Sequence, residues 1–389
     1  MRQWSLPEYV EDILPAEARR IEMMRRRVMD LLWTHGYELV GPPLLEYVES
    51  LLSGSGGDTN LRMFKVVDQL SGRMMGLRAD MTPQVARIDA HLLDRKGITR
   101  LCYAGSVLHT LPSGLTRTRE PLQIGAELYG HSGLESDLEI QRLMLESLAI
   151  AGITKVHLDF GHVAVFRGLV TGAGIPVELE TELFEVLQAK DTDALKNLCA
   201  GLNAHVDTRA RDALLLLPEL YGGIEVLEDA RRSLPDYPEI RTALDELRTV
   251  GEELGPAVDT LAFDLADLRG YHYHSGMVFA AYTGNSPNAI ALGGRYDEVG
   301  KAFGRARPAT GFSMDLRELS GLVQPDAYPG GILAPYMKKD EMLQKTIDRL
   351  RDEGEIVVVE LPGYEPDGDM FNCDRKLIME GGVWVAVKI

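Results

Sequence analysis

The sequence predicts an α+β protein, in which strands and helices occupy different parts of the chain. Runs of alternating apolar and polar residues, typical of strands, occur before residue 163 and again from Thr260 onwards. Residues 163–255 show helical periodicity instead, with loops at prolines, and are predicted to form a helical insertion. A tail beyond Pro325 alternates strand, helix and strand. We therefore expect a core domain at 1–322, interrupted by this insertion, and a small α/β domain at 326–389.

A helix is predicted from Ala16 to His35, because apolar residues recur there at spacings of three and four. These residues are Ile21, Met24, Val28 and Leu31. Gly36 is the expected stop of this helix. The segment Tyr37–Val40 is predicted to be extended, and two prolines after it exclude a central position in a sheet.

A hairpin is predicted next, with strands at Met63–Asp68 and Arg73–Leu77 around a Ser-Gly turn. Thr82 is the expected N-cap of the following helix, because Pro83 then takes the first helical position. The serine and glutamate of Ser136–Glu139 have the spacing of a capping box and predict the start of a further helix.

Two strands, Leu101–His109 and Glu120–Gly130, are predicted to provide a binding floor. In the second strand Leu122, Ile124, Ala126 and Leu128 alternate with polar residues or glycine. The opposite face therefore carries the amide of Gln123, the bare Gly125 and the carboxylate of Glu127. This combination is typical of a surface that contacts a polar ligand.

The segments Arg269–Gly276 (RGYHYHSG) and Gly293–Asp297 (GGRYD) predict a ligand pocket. The apolar run Met277–Tyr282 between them has strand length, so an arginine and several rings precede a strand that leads to a glycine turn. Arginine binds carboxylate or phosphate, and Tyr and His rings form a wall with polar tips. The alternatives are a solvated surface turn and a metal site at the histidines of this segment. Two histidines without a third ligand at fixed spacing favour no metal.

No catalytic group is predicted. His157, Asp159 and His162 are interpreted as polar residues at a strand end, because no serine or cysteine nucleophile is placed by a recognisable elbow.

Composition excludes several other classes of protein. Apolar residues make up 45% and charged residues 26%, and no apolar run approaches the length of a membrane span. The first fifteen residues are acidic and lack a secretory core, which predicts a cytoplasmic protein. Three widely separated cysteines fit neither a disulfide framework nor a zinc site. The net charge of −18 disfavours a broad polyanion-binding face.

Several motifs together resemble the catalytic core of histidyl-tRNA synthetase, a class II synthetase. They are Arg78–Thr82 (RADMT), Tyr103–Gly105 (YAG), the strand with Gln123 and Glu127, RGYHYHSG, GGRYD and Gly311–Met314 (GFSM). The resemblance covers roughly the first 322 residues. It implies a six- or seven-stranded antiparallel sheet flanked by helices, and a dimer formed through the helix and proline segment near Ala16–Pro43.

Carried over residue by residue, the resemblance implies a histidine-like ligand site. Its residues are Asp80, Thr82, Gln123, Glu127, Arg269, Tyr273, His274 and Tyr296. Asp80 stands where the family has a glutamate. His274 stands where the family has a tyrosine that bonds the imidazole of the substrate.

The nucleotide side departs from the synthetase pattern. His109 stands where the second motif has an arginine that holds the α-phosphate. Asp315 and Glu318 stand where the third motif has glycine and arginine. A carboxylate there repels a triphosphate, so the sequence predicts no adenylation and no cofactor.

The tail indicates the same conclusion. Residues 326–389 are shorter than the anticodon-binding domain of the synthetase family and carry eight Lys and Arg against thirteen Asp and Glu. An acidic tail is a poor tRNA reader, so no tRNA is expected.

A synthetase-like core with an altered nucleotide side and a short acidic tail resembles the family of ATP phosphoribosyltransferase regulatory subunits over the whole chain. The resemblance implies a non-catalytic subunit required with a short-form catalytic subunit for the first step of histidine biosynthesis. It further implies a homodimer within a hetero-octamer and feedback regulation by histidine. Two alternatives are an active histidyl-tRNA synthetase and another synthetase-like protein that binds an amino acid.

Overall fold

The computed structural model describes residues 4–53, 61–112, 118–202, 207–284, 286–324, 330–363 and 372–389. The chain forms two compact units, Met1–Val323 and Gln324–Ile389. The first unit combines a large sheet with helices, and the second is a small α/β unit. The predicted α+β class is therefore confirmed.

The first unit contains twelve strands among its described residues. They are β1 (Glu38–Leu39), β2 (Leu45–Tyr47), β3 (Phe64–Val67), β4 (Met74–Leu77), β5 (Thr99–Ser106), β6 (Leu122–Tyr129), β7 (His157–His162), β8 (Tyr221–Gly222), β9 (Thr260–Asp264), β10 (Met277–Tyr282), β11 (Ala291–Arg295) and β12 (Ala309–Asp315). Nine of them form one sheet in the order β1-β5-β6-β12-β11-β10-β7-β9-β8, and β2-β4-β3 form a small separate sheet.

The helices lie around these sheets. The α-helices that lie wholly within the described residues of this unit are α1 (Pro15–Thr34), α2 (Val48–Leu52), α3 (Thr82–Arg87), α4 (Leu134–Ile150), α5 (Val163–Ala173), α6 (Val177–Gln188), α7 (Thr192–Gly201), α8 (Thr208–Leu216), α9 (Glu225–Ser233), α10 (Pro238–Leu254) and α11 (Leu316–Leu322). A π-helical turn, Ile88–Leu93, continues α3. Among the residues described, none of the helices is long and apolar enough to cross a membrane.

The large sheet is wider than the sequence resemblance implied, and it is not entirely antiparallel. Its centre, from β5 through β12 and β11 to β7, is antiparallel. β1 pairs in parallel with β5, and β7 pairs in parallel with β9. Parallel neighbours need a crossover connection, and the helices α5–α10 between β7 and β9 supply one.

Helix α1 buries the stripe that its periodicity predicted, with Leu32 rather than Leu31 as the last fully buried residue. Two predicted helix starts are wrong. Met81 occupies the N-cap position of α3, and Thr82 is its first helical residue. Gly133 precedes α4, and the Ser136 hydroxyl donates back to the Gly133 carbonyl instead of capping the next turn. Glu139, the expected partner in that box, accepts two bonds from Arg100 instead.

The glycine turn expected at the second pocket motif is also wrong. Gly293 and Gly294 lie inside β11, between β10 and β12. A Cβ on Gly293 would lie 2.3 Å from the Phe279 ring and 2.4 Å from the Gly311 carbonyl oxygen, so the glycine allows a close approach rather than a turn.

The second unit contains β13 (Gly331–Ala334), α12 (Glu341–Asp352), β14 (Val357–Val359), β15 (Cys373–Glu380) and β16 (Val383–Lys388). Its sheet has the order β14-β13-β15-β16. Strand β15 was not predicted, because its charged residues hide the alternation that identifies a strand. Leu377 alone on it is fully buried.

Candidate functional site

A cavity of about 430 Å³ lies over the middle of the large sheet and is called the central cavity here. Strands β6, β11 and β12 form its floor, and the start of α3 forms one wall. Six of the eight predicted site residues line it. They are Asp80, Thr82, Gln123, Glu127, His274 and Tyr296.

Glu127 is the most deeply buried polar group of this cavity, with 1% of its surface exposed. The Tyr103 hydroxyl donates to Glu127 Oε1 at 2.9 Å, and the Tyr296 hydroxyl donates to Oε2. Thr82 Oγ1 lies 3.0 Å from the same Tyr103 hydroxyl. Burial raises the pKa of Glu127 from 4.5 to about 8, although the two tyrosine bonds favour its charged form.

Two glycines leave the space that this network occupies. A Cβ on Gly311 would lie 1.6 Å from Glu127 Oε2, because the two residues are direct neighbours across β12 and β6. A Cβ on Gly125 would lie 2.5 Å from the Tyr103 hydroxyl. Any side chain at these positions would therefore displace the network.

Asp80 and Gln123 form a second polar pair in the central cavity. Gln123 Nε2 donates to Asp80 Oδ1 at 2.8 Å, while Gln123 Oε1 accepts from the Met81 backbone at 2.9 Å. The Thr82 backbone also donates to Asp80 Oδ1. These bonds fix the orientation of the amide and leave carboxylate lone pairs available to a ligand ammonium group.

His274 and Tyr273 close one side of the site. His274 Nδ1 lies 3.2 Å from the Arg295 carbonyl oxygen, and its ring occupies the space above Gly270 and Gly294. Burial lowers the pKa of His274 to about 4, so the ring is neutral at pH 7. The Tyr273 ring packs 5.1 Å from that of Tyr296. Its buried hydroxyl has no hydrogen-bond partner among the described residues.

Arg269 is the predicted site residue that the structure places elsewhere. Its guanidinium forms an ion pair with Asp267, two residues earlier, and donates to the Tyr282 hydroxyl at 2.9 Å. It lines a different cavity of about 350 Å³, called the second cavity here, beside Lys190 and Asp264. The structure therefore does not bring Arg269 together with the other site residues.

A smaller compartment of about 120 Å³, called the adjoining compartment here, shares residues with the central cavity. His109, Asp315 and Glu318 line it together with apolar residues of β11 and β12. Asp315 Oδ1 accepts from the backbones of Leu122 and Arg317, which fixes the start of α11. The side chain of Arg317 does not line this compartment and instead bonds the carbonyls of Glu120 and Glu11.

His109 is 9% exposed and lies where the two spaces meet. Its Nε2 lies 2.9 Å from the Ala79 carbonyl oxygen, which can only accept, so Nε2 carries the hydrogen. Nδ1 is then a buried acceptor, and it has no partner among the described residues. Burial lowers the pKa of His109, which keeps the ring neutral.

Sequence reasoning missed two lining or supporting residues. Tyr103 belongs to the YAG motif, but no feature of the sequence indicates that its hydroxyl bonds Glu127. Arg62, a cation that lines the central cavity, lies in no recognisable motif. The structure explains its position, because its carbonyl accepts from the backbone of Thr110, next to His109.

The remaining polar clusters have local roles. His157 bonds Asp159 at 2.6 Å, and His162 bonds Glu246 at 3.0 Å while its Nδ1 accepts from Ala164 at the start of α5. Within the described part of the chain, no group of three His, Cys, Asp or Glu side chains could hold a metal ion.

Comparison with known families agrees with this geometry. The family model described as histidyl-tRNA synthetase matches residues 9–319. The family model described as ATP phosphoribosyltransferase subunit HisZ C-terminal domain matches residues 329–387. Two curated relatives named ATP phosphoribosyltransferase regulatory subunit are 75% identical in Nitrosospira multiformis and 63% identical in Nitrosomonas europaea. Each alignment covers 99% of this chain and 98% of the relative.

Solved structures show the same relationship. The crystal structure of an ATP phosphoribosyltransferase regulatory subunit/histidyl-tRNA synthetase from Bacillus halodurans has a TM-score of 0.82 at 27% identity. It covers 95% of this chain and 96% of that one. A histidyl-tRNA synthetase from Nostoc sp. PCC 7120, with a TM-score of 0.77 at 19% identity, covers 100% of this chain and 97% of its own and supports the fold alone. The chain belongs to the family of ATP phosphoribosyltransferase regulatory subunits.

Proposed function

We propose that this chain joins a short-form catalytic subunit of ATP phosphoribosyltransferase and controls it, with histidine bound in the central cavity as the effector. One observation carries this proposal. The acidic and amide groups suited to an amino acid are assembled at the floor of the cavity, whereas a neutral histidine and two carboxylates line the space beside it.

That space is unsuited to a nucleotide triphosphate. At a separation of about 4 Å and an effective dielectric constant of about 20, a pair of unit charges interacts by on the order of 4 kcal/mol. Glu318 and Asp315 would therefore repel the phosphates that a synthetase must hold, and a neutral His109 supplies no compensating charge. These groups support a binding role rather than adenylation.

Control of a partner requires that this chain bind two states of that partner unequally. Histidine would then act by stabilising the assembly in its less active state. We propose a homodimer within a hetero-octamer as the assembly. The exposed Trp33 at the end of α1 and the exposed Leu39 of β1 support a dimer contact near the helix and proline segment. Neither tRNA nor a membrane is expected as a partner, and the cytoplasm remains the predicted location.

Reconstitution tests the function. The purified chain is mixed with a short-form catalytic subunit, and phosphoribosyl-ATP formation is measured with and without L-histidine. We expect activity only from the mixture, and inhibition by L-histidine. Light scattering should show a dimer for the chain alone. A mixture no more active than the catalytic subunit alone would refute the proposal.

Histidine-dependent pyrophosphate exchange tests the alternative of an active synthetase. We expect none from the unmodified chain. The double variant His109→Arg with Glu318→Arg provides the comparison, because it restores a cation at both positions. Exchange by the unmodified chain would show that the altered nucleotide side does not prevent adenylation.

A further inference from the structure

We infer that Arg62, and not Arg269, binds the carboxylate of the amino acid held in the central cavity. This inference rests on the proposed function, since it concerns the orientation of the proposed effector. An amino acid is a zwitterion, so its site needs an anionic or acceptor group for the ammonium and a cation for the carboxylate.

Arg62 is positioned beside the cavity by its backbone. Its carbonyl accepts from the Thr110 backbone at 2.9 Å, and the Leu61 carbonyl accepts from the Thr110 hydroxyl at 2.7 Å. Met63, the next residue, is 3% exposed and anchors the chain on the other side. The segment is therefore fixed on both sides of Arg62, next to the stretch after β5 that carries His109.

The other arginines near the site are committed elsewhere. Arg269 is bound by Asp267 and Tyr282 in the second cavity. Arg295 is 8% exposed and bonds Asp137 and neighbouring carbonyls. Arg78 bonds the carbonyls of Ser106 and Pro42. Among the described residues that line the central cavity, Arg62 is the only Lys or Arg.

His109 cannot replace Arg62 as the partner of the ligand carboxylate. Its Nε2 hydrogen is donated to the Ala79 carbonyl, and its Nδ1 is enclosed by protein. The neutral ring therefore offers a carboxylate neither a charge nor a free hydrogen. Arg62 is then the cation available to the carboxylate, and Asp80 suits the ammonium group.

The difference in burial between Glu127 and Arg62 predicts the orientation of the bound ligand. Glu127 is at the closed inner end, whereas Arg62 is exposed at the rim. A ligand whose side chain reaches Glu127 would leave its carboxylate near solvent and within reach of a long, flexible cation. Arginine can bond a carboxylate with two parallel hydrogen bonds in this arrangement.

Calorimetric titration tests the inference with two ligands, L-histidine and L-histidinol, which has a hydroxymethyl group in place of the carboxylate. The chain is titrated alone and in complex with its catalytic subunit. Arg62→Ala should weaken L-histidine binding by about tenfold and change L-histidinol binding by less than about twofold. Arg62→Lys should restore part of the affinity for L-histidine. The surface variant Arg209→Ala, on the exposed start of α8, is the matched control and should bind both ligands as the unmodified chain does.

The outcomes separate the two proposals. If the unmodified chain binds L-histidine and Arg62→Ala weakens both ligands equally or neither, the role of Arg62 is refuted while the effector site stands. If Arg269→Ala, rather than Arg62→Ala, causes the loss specific to L-histidine, the inference is likewise refuted. If the unmodified chain binds no L-histidine in either form, both the effector site and the role of Arg62 are refuted.

Discussion

The inner end of the central cavity and the adjoining compartment are built on the same strands, β6 and β12, yet they differ in how their polar groups are satisfied. At the inner end, both carboxyl oxygens of Glu127 accept from tyrosine hydroxyls. In the compartment, His109 keeps a buried acceptor without a partner in the described chain. The two environments lie four residues apart along β12, since Gly311 pairs with Glu127 and Asp315 pairs with Gln123 in one regular register.

This difference shows how one sheet can keep the groups that bind an amino acid while it lacks the cations that hold a nucleotide. Recognition of an amino acid depends on a buried, mutually bonded set of side chains, which cannot be altered one residue at a time without leaving a polar group unpaired. Cations that hold a nucleotide contact the ligand individually, so each can be replaced with little effect on the fold. His109 and Glu318 occupy such positions.

The largest effect should come from Gly311→Ala. The new Cβ would lie 1.6 Å from Glu127 Oε2 and 2.7 Å from the Ala126 carbonyl oxygen, so the network must move. We expect the free energy of unfolding to fall by about 1–3 kcal/mol and calorimetry to detect no L-histidine binding. Gly321→Ala, where no atom lies within 4 Å of the new Cβ, is the control and should be neutral or stabilising. Equal behaviour of the two variants would contradict the described packing.

Glu127→Gln should change how the free energy of unfolding depends on pH, which tests the inner end of the central cavity separately from the adjoining compartment. The pKa of Glu127 is raised from 4.5 to about 8, so the folded chain binds this proton more tightly than the unfolded chain. Its contribution to stability is complete below about pH 4.5 and is lost as pH rises toward 8. Urea unfolding from pH 5 to 8 should show this decline in the unmodified chain and a smaller one in the variant.

The same Glu127→Gln variant should weaken inhibition by L-histidine in the reconstituted enzyme. Because the raised pKa of Glu127, about 8, keeps most of its carboxyl protonated at neutral pH, its hydrogen bond to the ligand contributes about 0.5–1.5 kcal/mol, which corresponds to about two- to tenfold. Assembly with the catalytic subunit should be unchanged, as measured by light scattering. Unchanged inhibition would move the effector away from the central cavity.

His109 offers a smaller and more selective test. In His109→Gln the amide nitrogen can keep the bond to the Ala79 carbonyl while the Nδ1 acceptor is lost. In His109→Asn a polar atom remains near Nδ1 while the bond to Ala79 is lost. We expect His109→Gln to weaken L-histidine binding by no more than about twofold, because Nδ1 is enclosed by protein, and His109→Asn to lower the melting temperature through the lost bond to Ala79. A loss of binding of about tenfold in His109→Gln would show that Nδ1 does meet the ligand.

The smallest effect on inhibition is expected for Arg269→Ala. The side chain lies in the second cavity and bonds Asp267 and Tyr282. Removing it leaves the buried Asp267 without this ion pair, so stability should fall by about 1 kcal/mol, while the inhibition constant for L-histidine should change by less than about twofold. A tenfold loss of inhibition at unchanged stability would restore the role that the sequence resemblance implied.

The sequence was most informative where a backbone period fixes the geometry. Alternation along residues 120–130 placed Gln123 and Glu127 on one face, and the structure shows both in the central cavity. It was least informative where a side chain chooses between partners. Arg269 forms an ion pair with a residue two positions away, Thr82 bonds Tyr103 instead of capping α3, and Arg62 reaches the site through a carbonyl bond to Thr110. Such choices depend on contacts between distant segments, which no local pattern encodes.

The parallel pairing of β7 with β9 limits how far the helical insertion can be shortened. Phe160 faces Phe263 across this pair, so the chain leaving β7 must travel back along the full strand before β9 begins. Five residues of strand measure about 16 Å, and a parallel crossover needs about a dozen residues. Trimming from the middle, around α7 and α8, spares this return path, whereas a cut at α10 removes a helix that packs against β7. The parallel orientation of β9 relative to β7 therefore sets the minimum length of the helical insertion.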